Sequence, residues 1–286
     1  MSFYFAPPWA DSYYGKVSGH PKNSLIVGSS RAAQGLVPTV INEGLGRDDL
    51  YNFAFSNKDS PYGELYLDII KKKVAENPQN KLFIVEIQPW TLASADHKER
   101  EGLESIREKY YALADIRSPN ARPNLPYLWN AYNYHYAYMF MRKPKSFLHD
   151  DGWLEINTGL DSLSETRALK RKYENSLNEM NRFYSSEFRW NYLSATIDFL
   201  KEHGKVYLVR LPVPDLMVNY EDDKWPKLDE RIGVMATQLE VDYINLRSLY
   251  TQMRFTDLNH LHSSSSKLIS EILADSIAKR SGTMQD

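Results

Sequence analysis

The chain contains no cysteine. That excludes disulfides, thiolate zinc sites and a cysteine nucleophile. No run of about 18 apolar residues occurs, so no segment reads as a membrane-spanning helix. The opening stretch, Met1-Ser-Phe-Tyr-Phe-Ala-Pro-Pro-Trp9, is too short and too polar afterwards to read as a signal peptide. Excess charge of one sign is also missing: the formal net charge is -2, so bulk electrostatics give no reason to expect a nucleic-acid partner. There is no internal repeat. His97, His135 and His203 lack metal-ligand spacing with nearby carboxylates, so no metal site and no cofactor are expected. The G-x-G-x-x-G and Walker patterns are absent, which leaves a phosphate-cradling role for Gly28 without a second motif.

What is present fits an ordinary globular chain. Its 286 residues are 42% hydrophobic and 25% charged, enough to bury a substantial core. Ser24–Gly28 is a short apolar run ending at glycine, the pattern of a buried parallel strand. A helical stretch follows from about Ala32, and Pro38 suits a helix start. Leu50–Phe55, Lys81–Ile87, Lys205–Leu211 and Asp242–Leu246 read as four more strands. Helices are expected over Pro61–Ala75, Glu165–Tyr184, Arg189–His203 (ended by Gly204), Trp225–Leu239 and Ser264–Lys279. Strand–helix alternation implies a parallel sheet of five strands in a three-layer α/β/α sandwich. The alternation breaks over residues 91–165, which read as a mostly helical, aromatic-rich insertion in a single domain spanning 1–286.

Two segments carry chemistry. Asn23-Ser-Leu-Ile-Val-Gly-Ser-Ser-Arg31 presents two hydroxyls where a strand gives way to a helix. Backbone N–H groups point outward at such a turn and can hold an oxyanion; a serine helix cap is the simpler reading of the same residues. Phe255-Thr-Asp-Leu-Asn-His-Leu261 holds Asp257 and His260 three positions apart. That spacing lets a carboxylate orient one imidazole nitrogen while the other faces a serine; the plainer alternative is a helix-starting Asp beside a partly exposed His. Together the segments supply a nucleophile, a base and the group that orients the base. Ligands of parallel α/β sheets sit at the carboxyl ends of strands, and Ser29, Ser30 and Asn57 all fall just past strand ends.

On these residues the chain resembles the SGNH (GDSL-like) hydrolase and acyltransferase superfamily. Gly28-Ser29-Ser30 stands for the family's Gly-Asp-Ser block and Asp257-Leu-Asn-His260-Leu261 for its D-x-x-H block. The resemblance implies a flavodoxin-like sheet and a serine esterase or O-acyltransferase, with Ser30 as nucleophile, His260 as base and Asp257 orienting it. The Gly-Ser-Ser variant looks like the branch holding the D-alanyl transfer protein of the teichoic-acid pathway and related membrane-associated acyltransferases. The implied substrate is a small-molecule or glycan ester of the cell envelope. The implied location is exported or membrane-associated, on the periplasmic side. Asn57 stands where the family carries an oxyanion glycine, and its backbone N–H can serve the same purpose. The usual third block, Gly-x-Asn-Asp, is replaced by Ile87-Gln-Pro-Trp90. Its oxyanion asparagine is therefore missing, with Gln88 either a substitute or a solvated polar residue. Losing one such donor costs about 100- to 1,000-fold in rate, so a weak enzyme or a binding protein on the same fold is the alternative.

Arg31 and Arg210 are both expected at the sheet's carboxyl edge, either binding an anionic substrate group or held in structural ion pairs. The segment 127–145 carries Tyr132, Tyr134, Tyr136, Tyr138 and Phe140, then Arg142, Lys143 and Lys145. Its period fits a strand, while its Ala and Met content fits a helix. Aromatics followed by a basic cluster suit a membrane-surface contact or a sugar-binding lid; a packed satellite subdomain suits them equally.

Overall fold

The computed structural model describes residues 11–58, 60–76, 80–105, 108, 118–130, 146–156, 174, 177 and 180–282. Five parallel strands form its sheet: β1 (Ser24–Val27), β2 (Leu50–Asn52), β3 (Lys81–Glu86), β4 (Gly204–Arg210) and β5 (Asp242–Asn245). Their spatial order is β2-β1-β3-β4-β5. The order reverses between β1 and β3, and in such a sheet the crevice beyond those two strand ends is the natural ligand site.

Side-chain alternation builds the layers. Leu25 and Val27, Phe83 and Val85, and Val206 and Leu208 point to one face. Ile26, Leu82, Ile84, Tyr207 and Val209 point to the other. Both faces are buried, so the strands are apolar throughout rather than half polar. The first face is covered by α1 (Ser12–Val17), α4 (Glu64–Lys73), α5 (Glu187–Lys201) and α7 (Leu228–Gln238) through Val17, Tyr66, Ile69, Leu193, Ile197 and Ile232. The second is covered by α2 (Ser30–Gly35), α3 (Pro38–Leu45) and α8 (Ser263–Arg280) through Ala32, Ala33, Ile41, Ile269, Leu273 and Ile277. This is the expected three-layer sandwich, and each fully buried aliphatic contributes about 1.5–3 kcal/mol to it.

Three local expectations change. Gly204 does not end α5; Glu202 caps that helix, and Gly204 opens β4, where a Cβ would collide with the Lys81 backbone. A helix not expected from the sequence, α6 (Asp215–Lys224), follows Pro214, which presets the chain for a helix start. The described end of the 91–165 segment is an antiparallel hairpin, Ser146–Leu148 with Leu154–Ile156. It docks on β2 and α2: Asn52 N donates to Asp151 O at 2.8 Å, and the Trp153 indole N–H donates to Gln34 O at 2.8 Å. Gly152 at its turn has φ +84 and lies so close to Asn52 that no side chain fits. Tyr127 is buried and donates to Asp11 Oδ2 at 2.8 Å. Residues 131–145, with the tyrosine series and the basic cluster, lie outside the described residues, as does most of the helix expected over 165–184. Among the described residues no helix is long and apolar enough to cross a membrane.

Candidate active site

Gly28 ends β1 with φ +146, a conformation that side-chain-bearing residues avoid, and a Cβ there would lie 2.7 Å from Glu86. The turn lets Ser29 cap α2: its Oγ accepts from Arg31 N at 3.2 Å. Ser30 is then the first helical residue and is only partly buried. Its backbone N–H has no partner among the described residues, as expected in the first turn of a helix, and faces the positive end of the helix dipole.

His260 lies on a closed loop. Phe255 and Leu261 form an antiparallel bridge, and Thr256 N donates to His260 O at 2.9 Å. Leu261 is buried in the second core layer, while Leu258 packs against Trp90, Val213 and Met217. The two leucines of Asp257-Leu-Asn-His-Leu261 thus anchor the loop on either side of the imidazole. Asp257 Oδ1 accepts from Asn259 N at 2.7 Å and His260 N at 2.8 Å. His260 Nδ1 lies 2.8 Å from Asp257 Oδ2, and His260 Nε2 lies 2.8 Å from Ser30 Oγ. Read as hydrogen bonds, Nδ1–H donates to the carboxylate and Nε2 accepts from the hydroxyl, the tautomer a general base requires. Burial opposes ionisation of Asp257, but the hydrogen bonds and charge of His260 and the two backbone donors outweigh it and hold the carboxyl below its usual range.

The loop holding Asn57 is tied to the same turn. Ser60 N donates to Ser56 O, and Ser60 Oγ donates to Gly28 O at 2.9 Å, while Phe55 N donates to Gly28 O at 3.3 Å. Asn57, half buried in that turn, has neither its backbone N–H nor its side-chain amide engaged among the described residues. Gln88 is not a solvated residue: it is 1% exposed, and its amide donates to Ser29 Oγ. It therefore steadies the cap beside Ser30.

Arg31 and Arg210 do converge at the carboxyl edge, but on a carboxylate of the protein itself. Arg31 donates to Glu221 Oε1 at 2.7 Å and Arg210 to Glu221 Oε2 at 3.0 Å, all three side chains being buried. Arg210 also pairs with Asp229 at 2.6 Å. The Arg31 guanidinium further donates through Nε and Nη2 to Asn259 Oδ1 at 3.0 and 2.6 Å. Asn259 sits between Asp257 and His260, so Arg31 ties the helix that starts at Ser30 to the loop that carries His260. The ion-pair alternative is what the geometry shows for both arginines; an anion-binding role is not supported by their contacts.

Sequence reasoning missed Glu86, Glu221 and Asn259. Glu86 had a signal: it is the one acid in the apolar run Leu82-Phe-Ile-Val-Glu-Ile87. Glu221 and Asn259 had none, because their partners lie 190 and 228 residues away along the chain.

No family model and no curated protein matches the chain. Among solved structures it is similar to a carbohydrate esterase family 2 enzyme with a carbohydrate-binding domain from Corynascus thermopiles (Myceliophthora fergusii). That match has 11% identity and a TM-score of 0.42, covering 92% of this chain and 68% of that one. It is similar also to Est24, a carbohydrate acetylesterase from Sinorhizobium meliloti, with 12% identity and a TM-score of 0.39 over 90% of this chain and 99% of that one. An inhibitor-bound aryl esterase of M. smegmatis gives 10% identity and a TM-score of 0.39, over 90% and 99% of the two chains.

Proposed function

We propose that the chain is a serine-dependent ester hydrolase or O-acyltransferase of the SGNH type, acting on a small-molecule or glycan ester of the cell envelope. The observation that carries this reading is the continuous relay Asp257–His260–Ser30, with 2.8 Å at both links. Ser30 lies 227 positions or more from Asp257 and His260 in the chain, so their alignment has few structural reasons, with the hydroxyl partly exposed at a strand-to-helix turn. Ser30 Oγ attacks the ester carbonyl as His260 Nε2 takes its proton. The tetrahedral oxyanion is held by the Ser30 and Asn57 backbone N–H groups. The C–O bond to the alcohol breaks, and the alcohol leaves with the proton from His260. Water or an acceptor hydroxyl then gives its proton to His260 and attacks the acyl carbonyl; the C–O bond to Ser30 breaks and His260 returns the proton to Ser30 Oγ.

Gln88 is occupied by Ser29, so the oxyanion hole rests on backbone donors, and turnover with simple esters is expected to be slow. Hydrolysis of an aryl acetate by the purified protein, compared with Ser30→Ala and His260→Ala, tests the assignment. Each substitution is expected to lower turnover about 10⁴-fold or more. Unchanged turnover in Ser30→Ala would remove Ser30 as nucleophile.

A further inference from the structure

Behind the nucleophile turn lies a carboxyl that the relay does not use. Glu86 ends β3 with 0% exposure. Its Oε2 receives the Ser29 N–H and the Ser29 Oγ–H, both at 2.9 Å. Its Oε1 is buried and has no hydrogen-bond partner among the described residues. No Lys, Arg or His forms an ion pair with it among the described residues. An ionised carboxylate in this place would keep one oxygen unsatisfied and its charge without an ion-pair partner, both unfavourable in a buried site. Two residues on, and so on the same side of the strand, Gln88 shows the complementary defect: its Nε2 donates to Ser29 Oγ, while its Oε1 is buried without a donor among the described residues.

We propose that Glu86 is a positioning residue for Ser30, held as the neutral acid, with its proton on Oε1 directed to Gln88 Oε1. One proton then satisfies both orphaned oxygens. Ser29 Oγ gives its hydrogen to Glu86 and accepts from Arg31 N and Gln88 Nε2, so the cap is fixed from three sides. The nucleophile's own N–H and Oγ stay free of this network. Neutrality also keeps a negative charge out of the ground behind the forming oxyanion, which a buried carboxylate would oppose.

The surroundings agree. Burial pushes the Glu86 carboxyl up, against the Ser29 hydrogen bonds and the attraction of Arg31 from α2. Glu221 on α6 adds repulsion in the same upward direction. From α4 and the turn before it, Tyr66 Oη bonds the Gly28 backbone, and Tyr62 Oη donates to the Glu86 backbone carbonyl at 2.5 Å. Burial raises both phenols, so neither supplies charge.

Infrared difference spectroscopy between the wild-type protein and Glu86→Gln near neutral pH tests the protonation state without any substrate. A carboxylic-acid C=O band present in the wild type and lost in Glu86→Gln is expected. The kinetic arm rests on the acyl-transfer reading and uses the rate of fluorophosphonate labelling of Ser30. Glu86→Ala should slow it about 10- to 100-fold by freeing the Ser29 donors, and the isosteric Glu86→Gln should restore most of that loss. Wild-type labelling should fall on the alkaline side as Glu86 ionises, and Glu86→Gln should lack that fall. Absence of the acid band, or a Glu86→Gln protein as slow as Glu86→Ala, overturns the proposal. If Glu86→Ala does not fold, the infrared comparison and the two pH profiles still decide it. A protonated Glu86 in a protein that no ester probe labels would count against the esterase reading alone.

Discussion

At the residue scale, the relay divides its tasks among groups whose surroundings differ. His260 is held by a carboxylate that stays ionised well into the acid range, because its hydrogen bonds favour the charged form. Asp257→Asn keeps the shape but offers an amide N–H where His260 Nδ1 needs an acceptor, favouring the wrong tautomer. The variant is expected to fold normally and lose about 10⁴-fold in turnover; stopped-flow acylation with an aryl ester would read this directly, and a loss below about tenfold would separate Asp257 from the chemistry. That Ser30, His260 and Asp257 come together was legible only through the resemblance, since a serine cap and a loop Asp–His pair each have plainer readings taken alone. Gln88 was legible as a position but not as a role, since its partner Ser29 is fixed only when β1 and β3 pair.

At the element scale, β1 and α2 meet at one strained residue. Gly28→Ala places a methyl group on Glu86 and demands a backbone conformation alanine resists. A stability loss of about 1–3 kcal/mol is expected, seen in urea unfolding, together with slower Ser30 labelling. Arg31 joins α2 to the His260 loop through Asn259 and to α6 through Glu221. Lysine cannot keep both connections, since it lacks the planar fork. Arg31→Lys should therefore lower kcat about 10- to 100-fold with little change in KM, by loosening His260 against Ser30. A raised KM with unchanged kcat would instead return Arg31 to substrate binding. The strands and most helices were readable from apolar periodicity. The helix α6 was not, because only two of its residues, Met217 and Glu221, are buried, and six of its ten residues are polar or charged.

At the scale of the whole molecule, the five-strand framework was legible from alternation alone, because parallel strands buried on both faces write themselves as apolar runs. The hairpin at 146–156 was not, since its register depends on docking to Asn52 and Gln34 rather than on its own sequence. Stability should carry a mark of two buried lysines. Burial lowers Lys16 to about 7, against a small pull from Asp151, and lowers Lys73 to about 7 with help from Lys22. Between that value and the 10.5 of an unperturbed lysine, the unfolded chain binds more protons than the folded one. Stability should therefore rise with pH across this window, by up to a few kcal/mol per group. Lys16→Met should raise the urea midpoint at neutral pH and flatten the rise; an unchanged slope would contradict it. The central claim, an activated serine at the sheet's switch point, is tested most directly by fluorophosphonate labelling of the folded protein with mass mapping of the modified peptide. The account predicts one adduct, on Ser30, that disappears in His260→Ala. A folded protein left unlabelled, or labelled at another residue, would contradict it.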